Sequence, residues 1–114
     1  MTIEKFEDII SWQKGKALAI LIYKYSRNNR DQSYKNQILR AVVSISNNIA
    51  EGFERRSNKE FKQFLFIAKG SCAEVRSMLY IGLELGYFSQ GEFKTCYDLC
   101  LEISKLTSGL IKTL

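Results

Sequence analysis

Apolar residues recur at intervals of three and four along most of the chain, the spacing of one face of an α-helix, and short polar or capped breaks divide them into four stretches. The first runs from about Asp8 to Ser26, with Ile9, Trp12, Ile20 and Tyr23 on one side, and from Ala17 to Tyr23 it is apolar nearly all round. A helix of that kind meets partners on more than one side, so the monomer is not expected to be the final unit. After the polar break RNNRDQ, residues 27–32, the second stretch carries Tyr34, Ile38, Val42, Ile45, Ile49 and Phe53 to about Glu54. The third opens at Ser57, which forms a capping-box pattern with Glu60, and its stripe from Phe61 through Phe64, Cys72 and Leu79 stops at Gly86. Ser89 and Glu92 repeat the capping pattern before a fourth stretch, whose inward positions are Phe93, Cys96, Cys100, Ile103, Thr107, Leu110 and Leu114. No alternating strand pattern of useful length competes. The chain has no proline and only scattered glycines, so its turns are short and no linker divides it. The expected fold is all-α, an up-down-up-down antiparallel four-helix bundle forming one domain over residues 1–114.

The second stretch has two working faces. At about 100° per residue, Gln37, Ser44, Asn48, Glu51 and Arg55 fall within roughly 60° of one another, about 110° from the Ile/Val stripe. Solvated faces elsewhere in the chain use Lys and Glu, whereas this one uses short amides and hydroxyls. Such groups are mediocre helix formers at exposed sites and suit close helix contacts, where they hydrogen-bond to one another. They point to an interhelical or intersubunit polar network, with Arg40 and Glu51 as candidate members and Ser71 and Glu74 opposite on the third helix.

Residues 37–75, QILRAVVSISNNIAEGFERRSNKEFKQFLFIAKGSCAEV, carry a recognisable signature. Its parts are Gln37, Arg40-Ala41, Ser44-Ile45, the run Asn48 to Gly52, Arg55, Ser57, Glu60-Phe61, Leu65, Ile67-Ala68, Gly70-Ser71 and Glu74. The stretch resembles the four-helix-bundle family of proteins encoded by intervening sequences in bacterial 23S ribosomal RNA genes. Phe6 to Trp12, Tyr23 and Leu85-Gly86-Tyr87 extend the resemblance over most of the chain. The family often has a proline after the Ser-Ile pair; Ser46 stands there in this chain, which removes the basis for a kink. The resemblance implies a bundle that assembles into a ring-like homopentamer. The same fold is similar to the accessory variability determinant of diversity-generating retroelements, a basic pentamer that associates with a reverse transcriptase and with nucleic acid.

Charge adds a direction to this picture. Seventeen Lys and Arg against twelve Asp and Glu give +5, and the excess is concentrated in residues 14–69, which net +8. An acidic partner such as RNA or DNA is therefore expected to meet the first two thirds of the chain. On the third helix Lys59, Lys62, Lys69 and Arg76 lie within about 100° of one another, Arg55 and Arg56 precede them, and Phe66 and Tyr80 share their side. Cations interleaved with aromatics suit phosphates and exposed bases. The alternative is an ordinary solvated face whose two aromatics pack on a neighbouring subunit.

Catalysis finds little support. The chain has no histidine, hence no ready base near neutral pH and no imidazole ligand, and Ser44 or Ser71 has no evident base to activate it. Cys72, Cys96 and Cys100 all fall on the apolar stripes, where a thiol behaves as a small hydrophobe, so neither a metal nor another cofactor is expected. The acidic start MTIEKFEDI lacks the apolar core of a cleavable signal, and the longest apolar run, residues 17–23, is far below the roughly 20 residues that span a bilayer. The sequence thus predicts a cytoplasmic, non-enzymatic, self-assembling bundle associated with RNA or DNA; the alternative is a scaffold that recruits a protein partner instead.

Overall fold

The computed structural model describes residues 3–114. A 3-10 turn, Phe6–Asp8, leads into four helices: α1 (Ile10–Tyr25), α2 (Gln32–Phe53), α3 (Asn58–Glu84) and α4 (Gln90–Lys112). Each helix packs on its neighbour in sequence and α1 closes against α4, while neither diagonal pair of helices makes a backbone approach among the described residues. The result is a four-helix bundle 42 Å long and about half as wide. Its length is that of α3, since 27 residues at ~1.5 Å each reach about 40 Å.

The helix ends follow from local chemistry. The Asp31 side chain caps α2 by accepting from the Tyr34 N–H at 3.1 Å, an N-cap inside what the sequence presents only as a polar break. Ser57 caps α3 by accepting from Glu60 N–H, and Ser89 and Glu92 complete a reciprocal capping box on α4. Gly86 takes φ +75°, and its N–H bonds the Leu83 carbonyl while Tyr87 N–H bonds that of Gly82. This left-handed stop closes α3 where the sequence places it.

One core runs the length of the bundle. Leu18 and Ile22 of α1, Ile38 and Ile45 of α2, Leu65 and Leu79 of α3, and Cys96 and Cys100 of α4 are all fully buried. The face of α1 differs from the expected one. Its buried positions are Ser11, Gly15, Leu18 and Ile22, whereas Ile20 and Tyr23 are 45% and 51% exposed. The cause is the run from Ala17 to Tyr23: being apolar all round, it holds no periodic signal to choose its inner side. α2 runs unbroken through Ser46. No helix of the described residues is long and apolar enough to cross a membrane.

Candidate nucleic-acid interface

The α3 cations occupy the side of that helix turned toward α4. Tyr80 marks the direction, with its ring 5.3 Å from Phe93 and 5.5 Å from Tyr97, centroid to centroid. Arg76 lies one turn earlier and lines a surface cavity with Leu101, Glu102 and Lys105 of α4. Lys69 and Lys62 follow at seven-residue spacing and are half-buried, and Lys59 and Phe66 are exposed. None of Lys59, Lys62, Lys69 and Arg76 forms an ion pair among the described residues. Tyr80 is half exposed despite its α4 contacts, and Phe66 is 56% exposed with its ring in solvent.

At one end of the bundle, Arg55 and Arg56 share a cavity with Ser57 and Asn58, where α3 begins. Arg55 lies 4.8 Å over the Phe64 ring and 4.0 Å from Glu51, a loose and exposed i,i+4 pair. Free N–H groups and the positive end of the helix dipole lie at such a start, so the two arginines and the first turn of α3 present positive potential to the same space.

The polar face of α2 meets α3 within one chain. Ser44 Oγ and Ser71 Oγ are 2.9 Å apart, and Asn48 Nδ2 donates to both Ser44 Oγ at 2.9 Å and the Ser44 carbonyl at 2.8 Å. Nearer the other end, Gln37 Nε2 donates to Glu74. Five of the seven residues expected in a network are thus joined across α2 and α3. Arg40 and Glu51 are not: both are exposed, and Glu51 lies 4.0 Å from Arg55.

Three features escape the sequence reading. Tyr87 donates to Asp31 Oδ2 at 2.5 Å, tying the α1–α2 and α3–α4 connections together. That hydroxyl, and then the Tyr34 N–H, hold the Asp31 carboxyl below its usual 3.8. Tyr34 donates to the Met78 carbonyl beneath them. On the outer side of α3, Ile67, Ile81 and Leu85 are about half exposed; their positions off the core stripe are the signal that could have found them. The hydroxyls of Ser11, Ser26 and Thr107 are buried without a partner among the described residues. The cysteines are buried and unpaired; burial, and then Glu92, pushes the Cys96 thiol up to about 12, and Cys72 donates to the Cys100 carbonyl at 3.2 Å. No group of His, Cys, Asp and Glu among the described residues could hold a metal ion.

A closed ring of four helices, one of them edged by unpaired cations, defines a small basic four-helix-bundle protein. Within that class the chain belongs to the family described as 23S rRNA-intervening sequence protein, whose model matches residues 7–109. The matched span contains every residue of the basic stripe and of the polar network. Among solved structures, the chain is similar to a crystal structure of a protein with unknown function from the S23 ribosomal protein family of Bacteroides thetaiotaomicron. The TM-score is 0.83 and the identity 26%, over 90% of this chain and 98% of that one. No curated protein matches the chain.

Proposed function

We propose that this protein is a non-enzymatic, self-assembling accessory protein that associates with RNA or DNA through the α4-facing side of α3. The observation that carries the reading is the row of Lys59, Lys62, Lys69 and Arg76, none of which forms an ion pair among the described residues, continued by Arg55 and Arg56 at the bundle end. Such a row follows a phosphate backbone, and release of its counterions drives binding. Phe66, exposed between Lys62 and Lys69, offers a surface on which an unpaired base stacks. A non-catalytic role accords with the lack of histidine and with thiols that are buried in the core. Unpaired cysteines also accord with a reducing, cytoplasmic setting.

The test is the variant Lys59→Ala/Lys62→Ala/Lys69→Ala against single-stranded RNA and DNA of equal length. The wild type is expected to bind, with affinity falling steeply as salt rises, and the triple variant to lose at least tenfold. Undiminished binding by that variant would sink the proposal. A second reading, a scaffold for another protein, is favoured by the exposed Ile20, Tyr23, Ile67, Ile81 and Leu85. The two part at purification: nucleic acid that copurifies and leaves in a high-salt wash speaks for the first.

A further inference from the structure

The seam between α3 and α4 carries three aromatic rings on the outside of the bundle. Tyr80 lies 5.3 Å from Phe93 and 5.5 Å from Tyr97, and Phe93 and Tyr97 stack at 5.3 Å and 21°. Phe93 packs on the core, whereas Tyr80 and Tyr97 lie outside that cluster. Tyr80 is 51% exposed and stands at 56° and 73° to its two neighbours, so neither ring lies flat on it. Exposed aromatic surface gathered in one place marks a contact surface.

The aromatic cluster adjoins a cationic cavity. Arg76 lies one turn before Tyr80 on α3 and Leu101 one turn after Tyr97 on α4, and both line an opening of about 680 Å³ with Ser104, Lys105, Ser108 and Lys112. None of Arg76, Lys105 and Lys112 forms an ion pair among the described residues. Two nearby carboxylates are engaged elsewhere: Glu102, on the same cavity, lies 3.6 Å from Lys14 of α1, and Asp98 pairs with Lys94 at 2.8 Å. Glu84 follows Tyr80 by one turn on the same side of α3 and is exposed. Cations thus lie on one side of the Tyr80 ring and a carboxylate on the other, which sets the direction in which a phosphate chain leaves it. That direction leads back along Arg76 and Lys69 to Phe66, a second exposed ring about 21 Å away along the helix axis.

From this juxtaposition we infer that the α3–α4 seam selects single-stranded over double-stranded nucleic acid, an unpaired base stacking on Tyr80 beside Tyr97 while its phosphate lies toward Arg76 and the cavity. The inference rests on the proposed association with RNA or DNA and names the form that is bound. In a duplex each base face is covered by the next base of the stack, so a duplex offers the seam its phosphates alone. A single strand offers phosphates and open ring faces together. The aromatic contribution therefore belongs to one form only.

Fluorescence anisotropy with a short single-stranded RNA and an RNA duplex carrying the same number of phosphates, at one salt concentration, tests this. The wild type is expected to bind the single strand about tenfold more tightly than the duplex, since one stacked base contributes ~1–3 kcal/mol and tenfold corresponds to about 1.4 kcal/mol. Tyr80→Leu/Tyr97→Leu keeps apolar bulk and removes the rings; it is expected to lose that preference with duplex binding unchanged, and Tyr80→Phe/Tyr97→Phe to retain it. Tyr80→Ser alone, at a half-exposed site, is expected to show the same selective loss, and circular dichroism verifies that each variant folds. Lys59→Ala/Lys62→Ala/Lys69→Ala is expected to weaken both forms. Equal binding of the two forms by the wild type would overturn the inference and leave the association with nucleic acid standing. Equal weakening of both forms in the leucine and serine variants, or no change in either form, would overturn it too. Failure of the wild type to bind either form would overturn the proposed function as well.

Discussion

At Gly52 the absence of one methyl group sets how closely α2 and α3 lie. An added Cβ would stand 2.5 Å from the Phe64 Cβ and 3.1 Å from Phe61 Cδ1, and a side chain joined so near its backbone has little freedom to swing away. Gly52→Ala is therefore expected to destabilise the fold by about 2 kcal/mol from overpacking, even though alanine favours a helix interior by roughly 1 kcal/mol. Urea unfolding checks this, and a variant as stable as the wild type would refute it. The run Asn48 to Gly52 is conspicuous in the sequence, but its glycine's purpose is not, because Phe64 comes from another helix. Ser44, Asn48 and Ser71 were legible as packing residues, since short polar groups mid-helix lose stability unless they are bonded. Arg40 and Glu51 share their angle without sharing their role, because long charged side chains extend past the contact into water.

Among the elements, α2, α3 and α4 were legible in their inner faces and α1 was not. The first three alternate apolar stripes with polar faces, so angle identifies the core; the run ALAILIY gives every angle the same chemistry. The ends of α3 and α4 were equally plain from Ser57, Gly86 and Ser89, whereas the α2 cap at Asp31 emerged only with Tyr87, which lies 56 residues away in sequence. That contact carries a pH dependence. Tyr87 and Tyr34 hold the folded Asp31 carboxyl below 3.8, so its stabilisation is present above the ordinary carboxyl range and is lost as pH falls through the depressed folded value. Asp31→Asn is expected to melt at lower temperature than the wild type near neutral pH, with the gap closing in acid below that value. A gap that holds constant with pH, measured by thermal scans, would contradict a role for the charge.

For the whole molecule, the distribution of charge is as informative as the fold. The cations behind the excess of +8 over residues 14–69 include Lys59, Lys62 and Lys69 on α3 and Lys16, Lys24, Arg27 and Lys35 around a cavity between α1 and α2, a separation that depends on how helices are arranged and that no linear count contains. The bundle itself was legible because four apolar helical stretches joined by short connections bury one another as antiparallel neighbours. Its exposed faces were less so, since an outward isoleucine at residue 67 or 81 differs from an inward one only by angle. The claim that the α3 row follows phosphates has a direct measurement: the slope of log affinity against log salt for a short single-stranded RNA. Wild-type affinity is expected to fall linearly, and the Lys59/Lys62/Lys69 alanine variant to show a slope about 2 shallower, at roughly 0.7 per lost phosphate contact. Equal slopes and equal affinities for the two proteins would contradict it.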